Sequence, residues 1–196
     1  MQLVFATANK NKVNEIQSLI PDSINLLGLT DIACSEEIPE TQATIEGNAS
    51  QKAFYVFEKY HQNCFADDTG IEIEALNGLP GVLSARYAGE QKNAEDNMNK
   101  VLAELDGIEN RKARFKTVIS LVIDGKEIQF EGIVNGTILR EKRGSMGFGY
   151  DPIFLPDSEI GKGEKSFAEM QLAKKNLISH RALAVNKLVE YLRKLE

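Results

Sequence analysis

Four stretches of this chain hold side chains suited to chemistry on a ligand that is both flat and highly charged. Thr7-Ala8-Asn9-Lys10-Asn11-Lys12 lies between an apolar run and a helix-like stretch. A strand-to-helix turn presents free backbone N–H groups and the positive end of a helix dipole, and the two together hold phosphate. Thr7, Asn9 and Asn11 add side-chain donors and Lys12 adds a point charge, without the glycines of a P-loop. Asp67-Asp68-Thr69-Gly70 follows the apolar residues 64–66. The pattern puts both carboxylates at a strand end, where Gly70 allows a turn. Successive strand residues face opposite ways, so one of the two acids is a direct ligand unless the backbone turns at once. Carboxylates placed like this hold Mg2+, with water and substrate phosphate filling the other positions. Glu40, just before a long helical stretch, is a candidate third carboxylate.

The third stretch, residues 144–152, interleaves glycines with Phe148 and Tyr150 and ends in Asp151-Pro152. The two rings offer flat faces for stacking on a base, and Asp151 is an acceptor for ring N–H groups. In the fourth, Lys175-Asn176-Leu177-Ile178-Ser179-His180-Arg181, Ser179 as an N-cap puts His180 and Arg181 in the first turn of the last helix. Cations there oppose the helix dipole, a cost that a binding role explains. Each stretch also has a plain structural alternative: a capped helix start, an Asp-rich turn, a loop whose aromatics pack inward, a surface His/Arg pair. Taken together they describe one ligand, a nucleoside triphosphate with Mg2+. Zinc-ligand spacing, a nucleophile elbow and a Walker motif are all absent from the sequence.

The elements that must carry these groups alternate between strand and helix. Strands are expected at 3–7, 24–27, 64–67, 70–76 and 153–155, and helices at 10–20, 44–60, 94–105 and 181–195. Residues 114–123 and 127–137 flank Asp124-Gly125 and read as a hairpin. Asn93 is the expected cap of the third helix. The order β-α-β-α-β followed by a hairpin points to an α/β fold: a mixed sheet with helices on both faces. The polar stretches 140–149 and 156–165 are expected as surface loops that can wall a site.

With 196 residues, 42% of them hydrophobic, the chain is long enough to bury a core as a single domain. Its 23 Lys and Arg against 29 Asp and Glu leave a net charge of −6. A non-specific nucleic-acid binder carries the opposite balance, so no nucleic-acid partner is expected. Cys34 and Cys64 do not make a disulfide framework, no basic-then-apolar leader is visible, and no apolar run has the ~20 residues needed to span a bilayer. The expected location is the cytoplasm, with no membrane partner.

The motifs also carry a resemblance that runs the whole length of the chain in order. It rests on Phe5-Ala6-Thr7-Ala8-Asn9-Lys10-Asn11-Lys12; Glu40-Thr41, Asn48-Ala49 and Lys52-Ala53; Ala66-Asp67-Asp68-Thr69-Gly70; Gly78-Leu79-Pro80-Gly81 with Ser84-Ala85-Arg86-Tyr87; Gly147-Phe148-Gly149-Tyr150-Asp151-Pro152-Ile153-Phe154; and Ser179-His180-Arg181. In these the chain resembles the noncanonical purine NTP pyrophosphatases, the inosine triphosphate pyrophosphatase or XTP/dITP diphosphatase family.

The resemblance implies an elongated mixed α/β domain over residues 1–196, with two lobes flanking a central active-site cleft, and a homodimer. It implies hydrolysis of ITP, dITP and XTP to the monophosphate and pyrophosphate. Asp68 matches the proton acceptor and metal ligand and Glu40 the further metal carboxylate, while residues 7–12 match the phosphate turn. Thr69, Phe148, Gly149, Tyr150, Asp151, Lys175, His180 and Arg181 match substrate-binding positions, with Arg181 as a donor to the base O6. Lys12, Lys52 and Lys175 are the expected charge stabilisers, and Asp67 stands beside Asp68 as a second candidate to activate water. The chain departs from the family pattern at Ala8 and Gln42, where glycine is common, and at Thr69, where serine is. Gln42 bears most on the exact role of Glu40. The competing expectations are a Maf-like pyrophosphatase for modified nucleotides and a nucleotide-binding module without hydrolysis.

Overall fold

The structure is a computed structural model, and it describes residues 1–195. Six strands, β1 (Gln2–Phe5), β2 (Asn25–Leu27), β3 (Cys64–Ile73), β4 (Lys112–Ile123), β5 (Lys126–Ile138) and β6 (Phe154–Pro156), form one mixed sheet in the order β2-β1-β3-β4-β5-β6. The helices are α1 (Lys10–Gln17), α2 (Ile45–Tyr60), α3 (Ala94–Glu104), α4 (Leu172–Ile178) and α5 (His180–Leu192). Strand β1 runs parallel to β2 and β3, and β5 runs antiparallel to β6. The chain forms two compact units. The first comprises Met1–Asp68, Thr117–Gly132 and the residues from His180 on; the second comprises Thr69–Lys116 and Ile133–Ser179.

In the first unit the two-residue period of the strands sorts side chains onto two cores. Leu3, Phe5, Phe65, Ile119 and Leu121 pack with Ile16 of α1 and with Ala184, Val185 and Leu188 of α5. The alternate residues Val4, Ala6, Cys64, Ala66 and Val122 pack with Ala53 and Val56 of α2. Helices therefore cover both faces of this part of the sheet, as the sequence pattern predicts. Phe5 and Phe65, register partners on β1 and β3, stack at 4.7 Å. The second unit has its own core of Ile71, Ile73, Met98, Val101, Leu105, Phe115, Phe154 and Phe167.

Local chemistry sets the helix starts. The Asn9 side chain accepts from the N–H groups of Asn11 and Lys12, Thr44 caps α2 through Gly47 N–H, and Asn93 caps α3 through Asp96 N–H. Asp124 and Gly125, at φ 50° and 76°, make the tight turn between β4 and β5.

Three expectations need correction. Residues 64–67 and 70–76 do not form two strands: β3 runs unbroken through Asp67, Asp68, Thr69 and Gly70 and ends at Ile73. The two acids are thus inside a strand, and Gly70 makes no turn after them. The first helix stops at Gln17, capped by Ser18, before Leu19 and Ile20 of the expected stripe. The short helix α4 is additional; Ser179 ends it and immediately precedes α5, which begins at His180.

Candidate active site

The unbroken strand decides how the acid pair is used. Asp67 shares the face of Phe65 and meets α1 and α5, whereas Asp68 shares the face of Ala66 and meets α2. Lys12, in the first turn of α1, donates to Asp67 Oδ1 at 2.9 Å and to the Asp67 carbonyl at 3.3 Å. Arg181, in the first turn of α5, donates Nε to Asp67 Oδ2 at 3.3 Å and Nη1 to Glu15 of α1. On the other face Lys52 of α2 donates to Glu40 at 2.5 Å and to Asp68 at 3.4 Å.

These partners push the two neighbouring carboxyls apart. Burial alone would raise Asp67, but Lys12, Arg181 and Lys52 outweigh it and bring its pKa down to about 2. Asp68 moves the other way: burial raises it, and Glu40 and Asp67 add to the rise against Lys52 and Lys12. Asp67 is thereby a fixed charge, and Asp68 is the better proton acceptor of the two. Lys52 is buried, which lowers its affinity for a proton, yet Asp68, Glu40 and Asp67 together hold it above the ordinary lysine range. Lys12 is drawn below that range, chiefly by burial.

The first turn of α5 is fixed by its backbone. A side chain on Gly132 of β5 would run into the carbonyl of His180 and the N–H of Ala184, so glycine lets the helix start lie directly on the strand. Arg181, only 2% exposed, is anchored at both ends. Its guanidinium, expected to read the base, donates here to Asp67 and Glu15, which accounts for a cation at a helix N-terminus. His180 beside it is buried as well.

The second unit gathers the other predicted residues. Lys175 of α4 donates to Asp151 Oδ2 at 2.7 Å, and the same oxygen accepts from Phe148 N–H at 2.8 Å. The Lys175 ammonium lies 5.3 Å from the centre of the half-buried Phe148 ring. Tyr150, expected to stack on a base, lies in the core of the second unit. Its ring is 5% exposed in the core, and its hydroxyl donates to the Ser84 carbonyl at 2.7 Å. The Asp151 carboxylate, expected to accept from a base, instead organises residues 148–151 with Lys175.

A model described as the Ham1 family matches residues 3–191. The chain belongs to the Ham1 family. It is 58% identical over 192 residues to a protein of Flavobacterium johnsoniae named dITP/XTP pyrophosphatase, with 98% of each chain covered. A protein of Bacillus subtilis with the same name is 44% identical over 195 residues, covering 97% of this chain and 96% of its own. Among solved structures, the Staphylococcus aureus Ham1 protein superposes with a TM-score of 0.89 at 36% identity, covering 100% of both chains.

Within this Ham1 chain the predicted residues fall into two groups, one in each unit. Thr7, Ala8, Asn9, Lys10, Asn11, Lys12, Glu40, Lys52, Asp67, Asp68, His180 and Arg181 belong to the first, and Thr69, Phe148, Gly149, Tyr150, Asp151 and Lys175 to the second. Ala8, Asn9, Lys10 and Asn11 are exposed, with Asn9 spent on the cap. One residue escaped the sequence reading: Glu15, the buried acid that holds Arg181. Its signal was its spacing, three residues after Lys12 and next to Ile16 of the apolar stripe.

Proposed function

We propose that the protein hydrolyses noncanonical purine nucleoside triphosphates, ITP, dITP and XTP, to the monophosphate and pyrophosphate. The observation that carries this reading is the split acid pair on β3: a carboxylate locked by cations next to one whose proton affinity is raised, with buried lysines on both sides. Membership of a family whose relatives are named for this activity supports it. The reading takes residues 1–196 as one catalytic domain that works as a homodimer in the cytoplasm, in line with the family resemblance.

Glu40 and Asp68 converge on one cation, the Lys52 ammonium. Two hard carboxylate oxygens, with water and phosphate to complete the shell, match what Mg2+ requires. Glu40 and Asp68 would hold the metal, and when bound it neutralises phosphate charge and makes a water more acidic. The chain's own groups do the rest. Residues 7–12 hold the phosphates at the positive end of α1, with Lys12 supplying the charge. Thr69 contributes its hydroxyl to the substrate. Asp68 takes the proton of the attacking water as one phosphoanhydride bond breaks, and pyrophosphate leaves. Lys52 stabilises the charge that develops on the phosphate oxygens. Phe148 stacks on the purine, the Lys175–Asp151 pair steadies its loop, and the backbone N–H groups of Gly149 and Tyr150 pair with O6 and leave an adenine amino group facing a donor. Such a mismatch costs roughly 1–3 kcal/mol per contact.

The test is pyrophosphate release from ITP, dITP, XTP, GTP and ATP, each with Mg2+ and with excess EDTA. The three noncanonical nucleotides should turn over fastest and chelation should stop the reaction. Equal rates on all five would remove the base preference, and full turnover in EDTA would remove the metal.

A further inference from the structure

Gln51 of α2 has no part in the proposed reaction, yet it grips the residue that follows Glu40. Its Oε1 accepts from the Thr41 N–H at 2.9 Å, and its Nε2 donates to the Thr41 hydroxyl at 2.9 Å. Three residues earlier on the helix, the buried Asn48 accepts from the Gln42 N–H at 2.9 Å. Residues 37–42 form neither helix nor strand, so their path is set by what they touch. Glu36 accepts from the Tyr55 and Tyr60 hydroxyls and from Lys59, Ile38 packs in the core with Ala53 and Val56, and Thr44 caps the helix. The segment therefore runs back along α2 from its last turn to its first, all within the first unit. A side chain on Gly47 would come within 2.8 Å of Gln42 Cβ, so the segment lies against the helix itself.

The Thr41 N–H belongs to the peptide plane that begins at the Glu40 Cα, because the atoms from one Cα to the next are coplanar. A bond to that N–H holds the plane, and the second bond, to the hydroxyl of the same residue, stops the plane from swinging about the first. Asn48 holds the next plane through the Gln42 N–H. The Glu40 side chain leaves from the edge of the held plane and meets the Lys52 ammonium at 2.5 Å, and Lys52 also reaches Asp68 at 3.4 Å. Gln51 and Lys52 are neighbours on one helix. The place of the loop acid is thus referenced to the same element that carries its cation.

We infer that Gln51 is a positioning residue for Glu40: its two-pronged grip on Thr41 ties the Glu40 carboxylate to α2 beside Lys52 and Asp68, ready for a divalent cation before substrate arrives. The inference rests on the reading of Glu40 and Asp68 as the metal carboxylates. Without the grip the segment stays anchored at Ile38 and Asn48, so the protein folds, but Glu40 gains freedom that it must give up when the metal binds. Ordering at the moment of binding lowers affinity and leaves the rate of the loaded enzyme alone.

The experiment measures metal binding without turnover. Mn2+, which takes the same oxygen donors as Mg2+, is titrated into the parent, Gln51→Leu, Thr41→Val, Thr41→Ser and Glu40→Gln, and free Mn2+ is read by electron paramagnetic resonance. The same proteins are assayed for pyrophosphate release from ITP against Mg2+ concentration, and for urea unfolding. Gln51→Leu should weaken Mn2+ binding about fivefold, the factor expected of one or two ordinary hydrogen bonds. It should raise the Mg2+ concentration for half-maximal rate by a like factor and leave kcat at saturating Mg2+ and the urea midpoint close to the parent. Thr41→Val, which deletes only the hydroxyl bond, should lose less, and Thr41→Ser, which keeps that bond, should match the parent. A parent-like Mn2+ affinity in Gln51→Leu overturns the inference, as does a loss confined to kcat at saturating metal or one matched by a fall in the urea midpoint. If Gln51→Leu does not fold, the Thr41 pair decides, and equal Mn2+ affinities in the two overturn the inference. A parent that stops in EDTA yet binds no Mn2+ without nucleotide overturns it too, since no site is then ready in the free protein. A parent that keeps its activity in EDTA, or a Glu40→Gln variant that binds Mn2+ like the parent, sinks the metal reading of Glu40 and the inference with it; a metal-dependent parent beside an indifferent Gln51→Leu sinks only the inference.

Discussion

In the first unit Asp67 is held by side chains far away in sequence, whereas in the second Asp151 is held in part by its own loop. Asp67 finds Lys12 at a separation of 55 residues and Arg181 at 114. Asp151 accepts from the N–H of Phe148, three residues away, and from Lys175 on the next helix, while the Tyr150 hydroxyl is spent on a backbone carbonyl. A side chain bonded to backbone builds a fixed shape. A side chain bonded to another across two elements can exchange its partner for a ligand of the same charge. On the proposed reading the first unit trades Lys12 and Lys52 contacts for phosphate, and the second holds Phe148 still. Substitution of Asp68 should show in turnover, that of Tyr150 in stability, and that of Arg181, paired to two buried acids, in both.

The sharpest break of that contrast is Asp68→Asn. The amide keeps the shape and loses the charge, the basicity and much of the metal affinity. Turnover of ITP should fall by at least ~10²-fold, the scale of lost general-base help. The melting temperature should hold, since Asp68 is a buried acid whose charge the fold already disfavours. A folded variant with near-normal kcat would take the proton-acceptor role away from Asp68.

Arg181→Met tests how the ion pairs of Asp67 and Glu15 bear on turnover. It leaves Glu15 buried without its cation, and breaking such a pair costs about 3–5 kcal/mol in stability. If Arg181 acts through Asp67, kcat/KM falls by the same factor for ITP and ATP. A fall confined to ITP would return Arg181 to the base and erase the distinction between the two units.

These assignments mark what the sequence could and could not reveal. The apolar stripe of α2, the cap Asn93 and the Asp124-Gly125 turn are local signals, and each is where its local chemistry requires. The acid pair was legible as a site but not as a strand interior. Polar residues with a glycine after them look like a turn, and only cations brought in from α1, α2 and α5 let two carboxylates stay inside a buried strand. The same blindness hid the partners of Arg181. A cation at a helix start resembles a ligand donor when its counter-ion lies 166 residues earlier. The burial of Tyr150 was hidden for a different reason, since glycines around an aromatic residue say that the backbone is free to turn and nothing about the side to which the ring goes.

Tyr150→Phe is the smallest expected effect and the cleanest probe of the second unit. The substitution removes one hydroxyl and leaves the ring that fills the core. The lost bond is the one donated to the Ser84 carbonyl, and Asn97 Nδ2 also donates to that oxygen at 3.3 Å, so the carbonyl keeps a partner. The cost should therefore sit near the ordinary net value of a neutral hydrogen bond, about 0.5–1.5 kcal/mol in unfolding free energy. If Tyr150 only fastens residues 148–151 to the core, the ratio of kcat/KM for ITP to that for ATP stays at its parent value. If the ring instead meets the purine, KM for both nucleotides shifts while denaturant unfolding is unchanged. Urea unfolding and the two kinetic ratios, measured on one preparation, separate those outcomes, and a stability loss with an intact ITP-to-ATP ratio is the result expected of a core residue.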